Sequence, residues 1–276
     1  MTERSDPEYV LDAQIDFDPI DYPGRVPGVS GILTERAFLP LHIGPGEGAP
    51  AARIATGDGG RRLDDLLYDA GAAGLDERAL VVAVGANGDP SIMYRKLVSR
   101  EVSPLFPHVK CTVENLAVGH SAHVAGRGYV PAAPYHSTGS VTPLFASWFD
   151  DEQLRALDDT EPNYRRVELS GRHYPLALAT GEAPASYFVY ATEWGLLTDR
   201  EAYVPLMSQH DIHEFLLRHA DVMAELPEVD AVGMVEALAA EDAIATLPHV
   251  FHRSQLAQPS RLVTSSGPPD TRYRHR

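Results

Sequence analysis

Residues 149–167 have the sequence FDDEQLRALDDTEPNYRRV, which marks the beginning and the end of one short helix and the start of a strand. Asp150 is a predicted N-cap, and Gln153 three residues later completes a capping box. Pro162 cannot continue a helix and disfavours helical geometry in the residue before it. The helix is therefore predicted to end before Glu161, which leaves this carboxylate at a corner between helix and strand.

The surroundings of Glu161 decide what this carboxylate can do. Val167 and Leu169 belong to the following strand, predicted over 164–169, and should point into a core. A carboxylate beside a core is partly removed from water, and such a group can serve as a general acid or base. The alternative is a solvated corner residue, because most carboxylates of folded proteins are exposed.

The overall composition is that of a globular protein. The chain has 276 residues, of which 44% are hydrophobic and 22% charged, so it has material for a sizeable core. Asp and Glu outnumber Lys and Arg by 39 to 23, and the formal charge is −16. A surface of this charge repels a phosphate backbone, so nucleic acid is not a predicted partner.

The cellular setting is predicted from three features. The single cysteine, Cys111, cannot form an internal disulfide. Residues 1–11 carry acids where a signal peptide needs a basic start and an apolar core. No apolar run approaches the ~20 residues that cross a bilayer, so a membrane is not a predicted partner either. We expect a cytoplasmic protein.

The chain divides into four predicted regions. Residues 1–30, rich in Asp, Pro and Gly, form an irregular arm, and residues 31–200 an α+β domain. Residues 201–258 form a helical extension packed on that domain, and residues 259–276 a flexible tail. The predicted strands cover residues 32–43, 80–84, 115–124, 129–132, 141–149, 164–169 and 185–190.

A second local motif follows the apolar strand at 80–84. Gly85-Ala86-Asn87-Gly88 permits left-handed backbone angles, and Asp89 can cap a helix that has Pro90 in its first turn. Such a corner aims backbone N–H groups at one point, which suits a carboxylate or another small anion. The motif lacks the Gly-Lys-Ser/Thr ending of a P-loop and the third glycine of a dinucleotide fingerprint. The alternative is an ordinary connection between two elements.

Two histidines lie in the strand predicted over 115–124. Alternation places His120 on the more apolar face, where a hydrogen-bonded structural histidine is expected. His123 falls on the face that carries Ser121. His123 is therefore the better candidate for the site.

Other common catalytic and metal-binding patterns are missing from the sequence. His210 with His213, and His249 with His252, match neither a metalloprotease pattern nor a zinc motif with cysteines. No Gly-x-Ser-x-Gly elbow occurs, and Cys111 has no electropositive context. Neither a metal nor another cofactor is predicted.

The two motifs together resemble those of the gamma-glutamyl cyclotransferase-like (butirosin-type) superfamily. They are VGAN at 84–87 and LDDTEPNYRRV at 157–167, and the resemblance covers roughly residues 80–191. In that family a Tyr-Gly-Ser-Asn loop after the first strand grips the gamma-glutamyl group. A Glu shortly before a Tyr-Arg-Arg-like strand is the catalytic acid/base. The resemblance implies an α+β fold with a small mixed β-barrel, flanking short helices and a C-terminal helical extension.

Carried over by position, the resemblance assigns a role to each motif. Glu161 becomes the general acid/base of a reaction that releases 5-oxoproline from a gamma-glutamyl amine or a related amide, which is lyase- or acyltransferase-type chemistry. His123 and Tyr164 are further candidates for polar contacts. The substrate loop then consists of Val84, Gly85, Ala86, Asn87 and Gly88.

The loop departs from the family pattern at two positions. Val84 and Ala86 stand where the family has tyrosine and serine, so two hydroxyl groups are missing. Losing one pocket hydrogen bond costs about 0.5–1.5 kcal/mol, enough to change substrate preference. A non-catalytic small-molecule-binding or interaction module on the same fold is thus an alternative. A third is amide hydrolysis or acyl transfer by the same Glu161.

Geometry separates these alternatives. An acid/base role requires Glu161 to face residues 85–87 across one pocket. A carboxylate that points to bulk solvent would favour the binding module.

Overall fold

The computed structural model of the chain describes residues 9–10, 17–44, 48–54, 60–227, 229, 233–265 and 267. In these ranges the strands are β1 (Tyr9–Val10), β2 (Gly31–Leu33), β3 (Ala37–His42), β4 (Arg53–Ile54), β5 (Ala79–Ala83), β6 (Phe106–His120), β7 (Ala132–Phe149), β8 (Tyr164–Ser170), β9 (Leu176–Leu178), β10 (Ser186–Thr192), β11 (Leu196–Asp199), β12 (Ala202–Tyr203) and β13 (Ala257–Gln258). The helices are α1 (Leu63–Asp69), α2 (Pro90–Val98), α3 (Asp151–Asp158), α4 (Gln209–Leu217), α5 (Ala220–Met223), α6 (Met234–Leu238) and α7 (Glu241–Arg253).

Helix α3 has the boundaries that its capping residues predict. The Asp150 side chain accepts the backbone N–H of Gln153 at 2.9 Å, and the Gln153 side chain accepts the N–H of Asp150 at 3.2 Å. The helix ends at Asp158, and the Glu161 N–H donates to the Asp158 carbonyl in the turn that follows. Glu161 therefore lies between α3 and β8, outside both.

Ten strands form one mixed sheet, in the order β1-β3-β2-β6-β7-β5-β10-β8, with β4 on β3 and β9 on β6. The long antiparallel pair β6–β7 is its centre, and β5 runs parallel to β10. The mixed α+β class predicted from the sequence is confirmed. The predicted barrel is not formed by the described strands, because β1 and β8 end the sheet without pairing to each other.

The central strands are longer than predicted. β6 spans Phe106–His120, and a bulge between Glu114 and Leu116 holds Asn115 at a φ of 60°. β7 is one strand of 18 residues where two, at 129–132 and 141–149, were predicted. Residues 133–136 between them pair with β6 through the backbone, which needs no apolar pattern in their side chains.

The N-terminal segments also differ from the prediction. The strand predicted at 32–43 is a hairpin of β2 and β3, and the Thr34 hydroxyl bonds the Ala37 carbonyl across its turn. In the predicted irregular arm, β1 pairs with β3, while residues 17–30 hold one 3-10 turn, Pro19–Asp21. Residues 1–8 and 11–16 lie outside the described residues.

The C-terminal segment combines helices with short strands. Its helices form a second buried cluster that includes Val124 and Val130, which lie between β6 and β7. β11 pairs with β12 and β13, so short strands accompany the helices of this segment.

The described residues directly after Pro259 pack on the rest of the protein. Ser260 and Leu262 are buried, and the Val263 N–H donates to the Tyr174 hydroxyl at 2.9 Å. This start of the predicted flexible tail is thus held in place, while residues 266 and 268–276 lie outside the described residues. Among the described helices, none has the length and apolar character to cross a membrane.

Candidate functional site

A cavity of about 700 Å³ opens where the turn after β5, helix α2, the corner after α3 and the loop after β6 meet. Several predicted site residues line it: Val84, Ala86, Asn87, His123, Glu161 and Tyr164. Gly85 and Gly88 form the two ends of the 3-10 turn that carries Asn87. The structure thus brings the predicted loop and the predicted carboxylate together in one place.

Glu161 lies at the centre of a small polar cluster. Its Oε1 accepts hydrogen bonds from Lys96 Nζ at 2.6 Å and from Asn87 Nδ2 at 3.2 Å. Lys96 Nζ also donates to Asn87 Oδ1 at 2.8 Å, so the three side chains contact one another pairwise. The side chains of Glu161 and Lys96 are 13% and 20% exposed. Glu161 is therefore a paired carboxylate inside the cavity and not a solvated corner residue.

The packing of α2 against α3 sets this geometry. Met93 and Leu97 of α2 lie in one buried cluster with Leu154 and Leu157 of α3. Asp89 caps α2 by accepting the Ser91 N–H at 2.8 Å, which fixes where the helix begins. Lys96, in the last turn of α2, then reaches the corner that follows α3.

His108, in β6, contacts the Gly85–Gly88 turn. Its Nε2 lies 3.3 Å from the Gly88 carbonyl oxygen, its Nδ1 lies 2.7 Å from Ser147 Oγ, and its ring stacks on Phe145. Burial lowers the pKa of His108 to about 3, so the ring is neutral at physiological pH. The turn is thus attached to the centre of the sheet through an uncharged side chain.

Tyr22 places its hydroxyl against the same turn. The hydroxyl accepts the Ala132 N–H at 2.7 Å, and the backbone of Ala86 lies close enough to lower its pKa. A Cβ on Gly85, whose φ is +63°, would lie 2.2 Å from this hydroxyl oxygen. Only glycine therefore lets the phenol approach the turn so closely.

The predicted polar residues His123 and Tyr164 belong to a hydrogen-bonded network in the wall of the cavity. The Tyr164 hydroxyl donates to the Ala132 carbonyl at 2.8 Å, and burial raises its pKa well above the usual value. His123 Nδ1 lies 2.7 Å from Ser121 Oγ, and the His123 ring packs edge-on against Tyr164. The hydroxyl proton of Tyr164 is thus used within the protein, and a polar contact of this residue with a substrate stays a prediction.

Two other predicted assignments concern residues away from the cavity. His120 is fully buried, with Nδ1 3.1 Å from the Val130 carbonyl oxygen and Nε2 accepting the Met207 N–H, as expected of a structural histidine. Burial raises the pKa of Cys111 to about 12, so its thiol stays protonated and is not a ready nucleophile.

The described lining of the cavity carries more cationic side chains than carboxylates, although the chain is strongly acidic. This described lining includes four cationic side chains, Arg95, Lys96, Arg100 and Arg127, but one carboxylate, Glu161. The whole chain has a formal charge of −16. Such a local excess of positive charge favours ligands that carry an anionic group.

Lys96 and Tyr22 were not among the predicted site residues. Lys96 lies one helical turn from Ile92 on α2 and from Ser99, which caps the end of the helix, and all three line the cavity. This spacing places the three side chains on one side of the helix, but it does not show which side meets the cavity. Tyr22 has no comparable signal, because its partners are distant in the chain and the arm is irregular.

A possible set of metal ligands lies elsewhere. His210, Asp211 and Glu214 are exposed on α4, and one ligand atom of each lies within 4.8 Å of the others. Exposed polar groups of this kind are stable in water without an ion, and none of the three lines the cavity. The set therefore adds nothing to the candidate site.

Comparisons with known proteins were made at three levels. No protein-family model matches the chain, and no curated protein matches it. Among solved structures, a gamma-glutamyl cyclotransferase matches with a TM-score of 0.32 and 16% identity, over 42% of this chain and 67% of that chain.

Two further solved structures match at a similar level. An Arabidopsis thaliana protein gives a TM-score of 0.34 at 16% identity, over 51% of this chain and 84% of its own. A yeast gamma-glutamyl cyclotransferase specific to glutathione gives 0.29 at 12% identity, over 62% of this chain and all of its own. All three matched structures are at most 16% identical to this chain over the aligned residues.

Proposed function

We propose that the protein converts a gamma-glutamyl amine, or a related amide, to 5-oxoproline and the free amine. The observation that carries the proposal is the contact of Glu161 with Asn87 and Lys96 inside one cavity. A carboxylate held this way is oriented before any substrate arrives, and orientation is the main requirement of an intramolecular reaction.

The reaction needs one group that both accepts and returns a proton. The α-amine nitrogen of the gamma-glutamyl group forms a bond to its own γ-carbonyl carbon, and the bond from that carbon to the leaving nitrogen breaks. Lys96 and Asn87 both donate to Oε1 of Glu161, so Oε2 is the oxygen that can take the proton from the attacking amine. Returning that proton to the leaving nitrogen completes the cycle with no other reactant.

The charge of the cavity fits this substrate class. A gamma-glutamyl group carries an α-carboxylate, and the cationic side chain of Arg100 lines the same cavity as Glu161. The carboxylate would be attracted to that lining. The backbone turn at Gly85–Gly88 is the second candidate for holding it.

A panel of gamma-glutamyl amines and gamma-glutamyl amino acids tests the proposal. The purified chain is incubated with each compound, and 5-oxoproline, glutamate and free amine are quantified by mass spectrometry. We expect 5-oxoproline and amine in equal amounts from at least one compound. Glutamate in place of 5-oxoproline would indicate amide hydrolysis, and binding without turnover would indicate the non-catalytic module.

A further inference from the structure

Residues 17–30 of the N-terminal arm contribute to the cavity. Residues 17–30 precede the segment that resembles the superfamily, yet Phe17 and Tyr22 both line the cavity that holds Glu161. Two contacts tie this segment to the elements around the cavity: the Tyr22 hydroxyl accepts the N–H of Ala132 in β7, and the Arg25 N–H donates at 2.6 Å to Oδ2 of Asp89, which caps α2. The first of these contacts holds the Tyr22 hydroxyl directly.

The Tyr22 hydroxyl acts as a hydrogen-bond acceptor within the protein. The Ala132 N–H donates to the oxygen at 2.7 Å, and the nearby Ala86 backbone favours negative charge on it. The bond from Ala132 uses the oxygen as acceptor. The hydroxyl proton is consequently not required by this bond, and the described residues offer it no other partner.

The acidity of this phenol is controlled by its surroundings. Burial raises the pKa of Tyr22 far above that of a free phenol, and the negative charge of Glu161 raises it further. Tyr22 is therefore neutral and holds its proton throughout the physiological range. A neutral donor near a carboxylate suits a carbonyl oxygen that becomes negative during the reaction.

We propose that Tyr22 is a catalytic residue that donates a hydrogen bond to the γ-carbonyl oxygen of the substrate. When the amine nitrogen attacks the carbonyl carbon, the electron pair of the C=O bond moves to that oxygen, and the Tyr22 O–H stabilises it without transferring its proton. The pair returns when the bond to the leaving nitrogen breaks. This assignment rests on the proposed function, because it needs a carbonyl substrate beside Glu161.

The neighbouring rings explain why this position requires a tyrosine. The Tyr22 ring stacks on Tyr129 with centroids 4.5 Å apart, and Phe17 packs edge-on against both rings. This stacking fixes the direction of the phenol axis, so the hydroxyl meets the turn at Gly85. A phenylalanine would keep the stacking and remove the hydroxyl, which is both the donor and the acceptor of the Ala132 N–H.

The test compares Tyr22→Phe with Tyr187→Phe. Tyr187 is also buried and uses its hydroxyl in one backbone hydrogen bond, to the Tyr174 carbonyl at 3.0 Å, but it does not line the cavity. With a substrate found in the panel, we expect Tyr22→Phe to lower kcat by about 10²-fold, the usual effect of losing one oxyanion donor. Tyr187→Phe should leave kcat unchanged.

A second variant covers the case in which Tyr22→Phe does not fold, since the Ala132 N–H loses its acceptor there. Replacing Tyr22 by 3-fluorotyrosine keeps the hydroxyl but makes it more acidic, and kcat should change with that acidity. If the wild type is active and both substitutions at Tyr22 leave kcat unchanged, Tyr22 has no catalytic role. If the wild type turns over no compound, the proposed function fails and the role of Tyr22 fails with it.

Discussion

Glu161 Oε1 lies 2.6 Å from Lys96 Nζ, although the two residues are 65 positions apart in the chain. Both side chains are largely buried, so water screens this ion pair only weakly. Removing one partner would leave the other charge in the cavity without its counter-ion, which is the costly situation for a buried pair.

The coupling between these two residues is measurable as a free energy. A double-mutant cycle with Lys96→Met and Glu161→Gln, followed by urea unfolding, should give an interaction energy of about 0.5–3 kcal/mol. The exposed pair Arg253–Glu225, 3.5 Å apart, is the control and should give about 0.2–1 kcal/mol. Equal coupling in the two pairs would show that burial does not strengthen the contact at Glu161.

The approach of Tyr22 to Gly85 predicts a steric effect. In Gly85→Ala the new Cβ would lie 2.2 Å from the Tyr22 hydroxyl oxygen and 2.9 Å from the Ala132 Cβ. Gly139→Ala is the matched control, because φ is +79° there and nothing lies within 4 Å of the added Cβ.

Both variants carry the strain of a positive φ, so their difference isolates the collision. We expect Gly85→Ala to lower the free energy of unfolding by about 1–3 kcal/mol more than Gly139→Ala, a typical cost of overpacking a well-packed site. Thermal or urea unfolding measures both values. Equal losses would mean that Tyr22 moves aside without cost.

Because His108 and His120 are buried and neutral, we expect the fold to lose stability in acid. Burial lowers the pKa of His108 to about 3 and that of His120 to about 4, against 6.5 for a free side chain. Below pH 6.5 the two histidine side chains become protonated in the unfolded chain but stay neutral in the folded chain. The contribution of each histidine to the stability of the fold is therefore complete only above pH 6.5. That contribution is lost progressively as the pH falls toward the folded pKa.

The free energy of unfolding should therefore decrease between pH 6 and pH 5, by about 1 kcal/mol for each of these histidines. Urea unfolding at pH 7, 6 and 5 measures this slope. In His120→Gln the free energy of unfolding should decrease between pH 6 and pH 5 by about 1 kcal/mol less than in the wild type. Above pH 7 the two proteins should show the same dependence on pH. Identical slopes in wild type and variant would contradict a neutral buried His120.

Local signals account for what the sequence predicts well. The capping box of Asp150 with Gln153 and the break at Pro162 involve residues within a few positions of one another, so they fix α3 and its end. In β7, by contrast, backbone pairing with β6 carries residues that have no strand-like pattern. Prediction from side chains alone divides this strand into two.

The candidate site was predictable only where local sequence signals exist. Asn87 and Glu161 follow elements with clear local boundaries, so their motifs can be recognised along the chain. Tyr22 contacts Ala132, which is 110 positions away, and no local pattern connects an irregular arm to that strand. Lys96 requires the packing of α2 on α3, which the sequence does not specify.

Substitution of Glu161 tests the central claim most directly. The measurement is kcat for 5-oxoproline release by the wild type, by Glu161→Gln and by Glu168→Gln, a control on β8 outside the described cavity lining. With Glu161 as general acid/base, Glu161→Gln should lower kcat by about 10²–10⁴-fold and Glu168→Gln should not change it. An active wild type whose kcat is unaffected by Glu161→Gln would contradict the proposed role of Glu161.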